Sequence, residues 1–147
     1  MISQSAEYSL RALICLAQSR GSPLTNQQIA QRAKIPSGYL AKILQALARA
    51  GLVSSQRGLN GGFLLTAEPG AVTLLEVVRL TDPSRRIDTC PLGVHGHHLC
   101  PLHRRLDDAA AAVEAALART TLGQLLAEQQ DPFADCINES AKAATHD

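Results

Sequence analysis

The stretch 25-TNQQIAQRAKIPSGYLAKILQALARAGLVSSQRGLNGGFLL-65 decides the fold. Its opening signals a helix start: Thr25 and Gln28 form a capping box, with Leu24 and Ile29 where a hydrophobic staple belongs. Pro36-Ser37 marks the next start, with Ser37 as the expected N-cap. From there Leu40, Ile43, Leu44, Leu47 and Ala48 follow the i, i+3, i+4, i+7, i+8 rule and make one apolar stripe. The opposite face carries Tyr39, Lys42, Gln45 and Arg49, and Gly51 ends the helix. Val53 to Arg57 and Phe63 to Leu65 then read as two strands around a glycine-rich tip, where Asn60-Gly61 is expected to supply positive φ angles. Two short helices, a tight turn and a two-stranded wing predict a winged helix-turn-helix in a mainly α fold, a device for laying a helix in the DNA major groove.

Working outward, Tyr8 to Ser19 predicts an amphipathic helix with Leu10, Leu13, Ile14 and Ala17 at helical spacing, ended by Gly21-Ser22-Pro23. Downstream, Thr73 and Glu76 cap a helix that runs to about Leu80. Residues 83–99 read as an irregular loop, and a long helix follows from Pro101 to Ala118. Its apolar positions Leu102, Leu106, Ala109, Ala110, Val113, Ala116 and Leu117 form a stripe that one protomer has little core left to cover. A partner subunit is the expected mate, which makes this a C-terminal dimerisation helix. Thr121 and Gln124 cap a final short helix. The organisation is then a winged helix-turn-helix domain at 1–80, a Cys/His loop at 81–100, the dimerisation and final helices at 101–128, and a mobile tail at 129–147.

With 46% hydrophobic residues and no Trp among 147, the core must be aliphatic. No apolar run approaches the roughly 20 residues needed to cross a bilayer, and the start MISQSAEYSL lacks a secretory layout. A cytoplasmic protein with reduced thiols is expected. The net charge of +1 conceals an asymmetry: residues 1–60 hold seven basic side chains against Glu7 alone, and the remainder seven basic against twelve acidic. A basic front half suits a phosphate-binding surface. Ser37, Tyr39 and Lys42 lie in the first turns of the recognition helix, with Arg32, Lys34 and Arg49 placed for phosphates. Arg57 is placed for the minor groove, while Asn60, Gly61 and Gly62 let the wing tip approach the sugar-phosphate chain. The expected partner is double-stranded DNA; a winged-helix protein-interaction module carries the same pattern. A metal-dependent hydrolase with Glu7 as base is disfavoured because no nucleophile–base pair stands out.

The loop 90-CPLGVHGHHLCPLH-103 supplies Cys90, Cys100, His95, His97, His98 and His103. Thiolates and neutral imidazoles are ligands of iron–sulfur clusters and of zinc. The nine residues between Cys90 and Cys100 are unlike the knuckle of a structural zinc site, so the pattern leaves the metal open. An exposed His-rich loop with two idle thiols is the other reading. Cys15 reads as a small core residue, and Cys136 sits in the tail.

The segments EYSLRALICLA, GYLAKILQALARAGLVSSQRGLNGGFLL, TLLEVV and TTLGQLL together resemble the Rrf-two family of bacterial transcriptional regulators over residues 1 to about 128. Gly61-Gly62 after Arg57-Gly58 is close to its hallmark. The resemblance implies a homodimer, one winged helix-turn-helix per protomer, a crossing dimer helix and a palindromic operator. Cluster-bearing members use three loop cysteines and a fourth ligand. In some that ligand is a carboxylate near the partner's N-terminus, the place Glu7 takes here; in others it is a histidine three residues after the last cysteine, the place of His103. This chain has two loop cysteines, with His95 where the middle one is expected. The implied ligand set is Cys90, His95, Cys100 and Glu7 from the other protomer, with His103 in reserve and His97 and His98 behind it. Mixed ligands favour a 2Fe–2S cluster over a four-iron cubane. The expected function is a repressor whose operator affinity follows the cluster, sensing redox state, nitric oxide or iron. The alternative is a regulator without a cluster, binding zinc or answering a small molecule or partner protein.

Overall fold

The computed structural model describes residues 2–83 and 86–128; the expected mobile tail and Cys136 lie outside the described residues. The first helix, α1, spans Gln4–Gln18 and starts four residues before the apolar periodicity does. Its first turn is polar, so the hydrophobic pattern is silent there. Ser3 fixes the start instead: its hydroxyl accepts from the Ala6 N–H, and its own N–H donates to Asp82 Oδ2 at 2.7 Å. The buried face centres on Ala12, Leu13 and Leu16, while Leu10 and Ala17 are only half-buried. Ser9, also buried, donates its hydroxyl to the Ser5 carbonyl.

Helix α2, Asn26–Ala33, has the full Thr25–Gln28 capping box. It ends at Lys34 in the left-handed region at φ 52°, a conformation that costs a non-glycine residue roughly 1–2 kcal/mol. Ile35, buried next door, holds the turn, and its N–H returns to the Ala30 carbonyl. Helix α3 spans Ser37–Arg49 with Pro36 as its N-cap and no side-chain cap bond, so Ser37 is the first helical residue rather than the cap. The Pro36 carbonyl accepts from Tyr39 and Leu40, and a hydroxyl cap is not needed. At the far end Gly51, at φ 77°, donates to Ala48 and Leu52 donates to Leu47. This paired closure satisfies two orphan carbonyls and brings buried Leu52 against the last turn.

Strands β1 (Val53–Gln56) and β2 (Gly62–Leu65) pair antiparallel, from Val53 opposite Leu65 to Gln56 opposite Gly62. The positive φ angles fall on Gly58 and Gly62, not on Asn60-Gly61. The five-residue tip closes with the Gly61 N–H on the Gly58 carbonyl. Leu24 and Phe63 exchange both backbone hydrogen bonds, at 3.0 and 2.7 Å, so the wing is sewn to the entrance of α2. Gly62 permits this approach, because a Cβ there would lie 2.4 Å from the Leu24 carbonyl oxygen.

After a 3₁₀ turn at Pro69–Ala71 comes α4, Leu74–Thr81, capped by Thr73. Helix α5 spans Pro101–Arg119, and α6, Leu122–Glu128, opens with a Thr121–Gln124 capping box. The chain returns because Leu74 donates to Thr120 and Leu122 donates to Val72, both at 2.9 Å. The core is aliphatic: Leu13, Leu16, Ile29, Leu40, Leu44, Leu47, Val77 and Leu122 are fully buried, each contributing about 1.5–3 kcal/mol. Helix α5 stands apart, packing on α4 yet burying none of its own residues. Leu102 and Leu106 of its stripe are 62% and 51% exposed. Among the described residues no helix is long and apolar enough to cross a membrane.

Candidate nucleic-acid interface and metal-ligating cluster

Burying the Leu40, Ile43, Leu44 and Leu47 face of α3 leaves Ser37, Tyr39, Lys42 and Arg49 on its exposed side. Arg32 and Lys34 are exposed at the end of α2, and Arg57 and Asn60 on the wing. The residues expected to meet DNA are therefore on the surface, except that Gly61 and Gly62 are half-buried. Gly62 serves the packing of the wing against Leu24. Tyr39 is 52% exposed, and its ring meets Tyr8 edge-on, centroids 5.9 Å apart. The Arg11 guanidinium lies 5.6 Å above the Tyr8 ring and pairs with Glu7, one turn away on α1. Aromatic edge contacts of this kind add about 0.5–1.5 kcal/mol, so α1 fixes the first turn of α3.

The second site forms where the irregular loop meets α5. Cys100 is the N-cap of α5, Pro101 opens the helix, and His103 follows in its first turn. Residues three apart on a helix share a face, and Cys100 Sγ lies 3.1 Å from His103 Nδ1. Cys90 comes in from the loop, buried, with its Sγ 3.7 Å from the same nitrogen. Sulfur, sulfur and nitrogen all lie within 4.8 Å of one another. His95, His97 and His98 sit exposed in the turns between Gly93 and His98 and are not in this group. The histidine brought to the thiols is thus His103, because the helix carries it, while His95 stays exposed in the loop. Glu7 stays on α1, paired with Arg11. Cys15 is buried, and desolvation pushes its thiol up, offset in part by Arg32.

Arg86 and Asp107, which no sequence motif singles out, join the segment before Cys90 to α5. Asp107 accepts from Arg86 Nε at 2.6 Å, from Arg86 Nη2 at 2.8 Å and from the Ile87 N–H at 2.9 Å. The Arg86 guanidinium, with help from the Ile87 N–H, holds the Asp107 carboxyl down at about 2. Twenty-one residues separate the pair, and no local motif announces it. The one available hint was Asp107 falling one helical turn beyond His103.

Two thiols and an imidazole make a soft donor set suited to zinc or iron–sulfur chemistry rather than to magnesium or calcium. The family model described as Rrf2, an iron-dependent transcriptional regulator, matches residues 2–128. The chain is 29% identical to the HTH-type transcriptional regulator IscR of Salmonella paratyphi B, over 99% of this chain and 88% of that one. Among solved structures it is similar to T. potens IscR, at TM-score 0.72 and 25% identity, covering 87% of each chain. It is also similar to CymR, the global cysteine regulator of B. subtilis, at TM-score 0.73 and 31% identity, covering 88% of this chain and 98% of that one. With its wing, its exposed α3 face and this match along nearly the whole described length, the chain belongs to the Rrf2 family of transcriptional regulators.

Proposed function

We propose that the protein acts in the cytoplasm as a homodimeric repressor, gripping a palindromic duplex operator with α3 and the wing. A metal group held by Cys90, Cys100 and His103 sets that grip. The observation that carries the reading is the convergence of three soft donors within 4.8 Å at the first turn of α5. The group favoured is a 2Fe–2S cluster, because a donor set with only two thiolates and an imidazole suits it better than a four-iron cubane. Such a cluster supplies one-electron redox chemistry and reactivity toward nitric oxide, and imidazole ligation raises its potential. A fourth ligand comes from outside this trio, with Glu7 of a second copy as the candidate.

The residues of the chain supply the transmission. Cys100 and His103 belong to the helix whose exposed leucines await a partner copy. A change at the ligands therefore acts on the element that spaces the two recognition helices, which must meet half-sites about one DNA turn apart. Lys42 and Arg57 hold phosphate or groove positions, and Ser37 and Tyr39 face base edges at the start of α3.

A second reading has its own support. Tetrahedral zinc with bonds of about 2.3 Å to sulfur and 2.0 Å to nitrogen puts such donors roughly 3.5 Å apart. The two sulfur–nitrogen separations of 3.1 and 3.7 Å bracket that value. The deciding experiment is purification without oxygen, followed by iron, sulfide and zinc counts and an absorption spectrum. Coloured protein with iron and sulfide, bleached by Cys90→Ala or Cys100→Ala and with altered operator affinity, is the expected result. Colourless, iron-free wild type overturns the cluster, and one zinc per chain establishes the second reading.

A further inference from the structure

Of the three donors, two are placed by α5 itself: Cys100 caps the helix and His103 follows in its first turn. Cys90 is different, since it arrives from a loop of irregular backbone and must be brought to the helix by something else. The Asp107 carboxylate is the group that does so. It takes both nitrogens of the Arg86 fork and the backbone N–H of Ile87, fastening the segment before Cys90 to α5. Asp107 lies four residues after His103, a rise of about 6 Å along the same face. Ile87 lies three residues before Cys90, a reach of at most about 11 Å. The tether is therefore short at both ends, and bidentate geometry adds direction as well as strength. Asp107 is well covered, its side chain 14% exposed, while Arg86 is half-exposed at 46%.

We propose that Arg86 and Asp107 are positioning residues of the metal site, a latch that holds Cys90 against Cys100 and His103. This deepens the metal-binding reading above and rests on it. Neither residue touches the bound group. Their effect runs through the Ile87 backbone and is felt at one thiolate only. Outer partners of this kind change metal affinity about 10- to 100-fold when removed.

The test titrates the full-length, metal-free chain with cobalt(II) alone, under nitrogen. Thiolate-to-cobalt charge-transfer absorption grows with the number of bound thiolates, so it counts Cys90 separately from Cys100. Wild type should show the intensity of two thiolates. Asp107→Asn should fall toward the intensity of Cys90→Ala and bind cobalt about 10-fold or more weakly. Arg86→Lys, which keeps the charge without the fork, should fall between. Should Asp107→Asn lose helical circular dichroism, Arg86→Gln carries the test from the exposed side. Wild-type intensity and affinity in both Asp107→Asn and Arg86→Gln overturn the latch alone. A wild type with no charge-transfer band overturns the metal reading, and the latch with it.

Discussion

Replacing Gly62 by Ala should unhitch the wing from the helix-turn-helix. A Cβ at this position would stand 2.4 Å from the Leu24 carbonyl oxygen, 2.6 Å from its carbon and 3.0 Å from the Thr25 nitrogen. All three are backbone atoms, so no side chain can swing aside. The φ of 152° adds strain, on the order of 1–3 kcal/mol for a residue with a Cβ. Relieving the clash separates Leu24 from Phe63 and loses their two hydrogen bonds, about 0.5–1.5 kcal/mol each. The sum is a destabilisation of about 2–6 kcal/mol, or a melting point lowered on the order of 10 °C. Two other glycines calibrate the measurement. Gly58 has φ 110° with nothing within 4 Å, so Gly58→Ala bears strain alone; Gly38, in α3, has neither problem. Gly38→Ala should stabilise by about 0.5–1 kcal/mol through helix propensity. Thermal melts followed by far-ultraviolet circular dichroism should rank Gly38→Ala above wild type, then Gly58→Ala, then Gly62→Ala. If Gly62→Ala melted with Gly58→Ala or above it, the argument from close backbone approach would be refuted.

Three further outcomes are expected. Leu106→Asp places a charge in the middle of the exposed α5 stripe and should convert a dimer to monomers in sedimentation velocity; an unchanged dimer would place the interface elsewhere. Lys42→Ala and Arg57→Ala should each weaken operator binding and lower the slope of log affinity against log salt by about one, read by fluorescence anisotropy from 50 to 200 mM salt. Asp107 titrates at about 2 in the fold against an ordinary 3.8. Its depressed value means the latch stabilises above the unfolded pKa and fades as pH falls through the interval from about 4 to 2. Denaturation of wild type and Asp107→Asn should differ at pH 6, differ less at pH 3 and converge only below about pH 2; a gap that persists there contradicts the assignment.

What was legible in the sequence was local. Capping boxes at Thr25 and Thr121, the stripe of α3 and the glycine after it are each set by residues within one to two helical turns, and each is present, save that Ala48 at the end of the stripe is exposed. The start of α1 leaves no apolar pattern because its first turn buries only Ala6, and its anchor is Asp82, seventy-nine residues from Ser3. Proline in place of serine as the α3 cap, and Gly58 and Gly62 in place of Asn60-Gly61 as the tight turn, are choices between neighbours that backbone pairing decides. In the Cys/His group the two cysteines are readable from the sequence as donors. The histidine follows from geometry: Cys100 and His103 share one helical turn, whereas His95 is exposed in the loop between them and Cys90. Arg86 and Asp107 were invisible for the same reason as Asp82, since a tertiary ion pair leaves no periodic trace.

The return of the chain through Thr120 and Leu122 pins one end of α5 to the winged body. Nineteen residues make it a rod roughly 28 Å long with Cys100 and His103 at the far end. An ångström of travel at Cys100 then amounts to a swing of only about two degrees about that pivot. A lever so geared converts short displacements into small rotations, so on the proposed function the operator grip must be sensitive to angle rather than to distance.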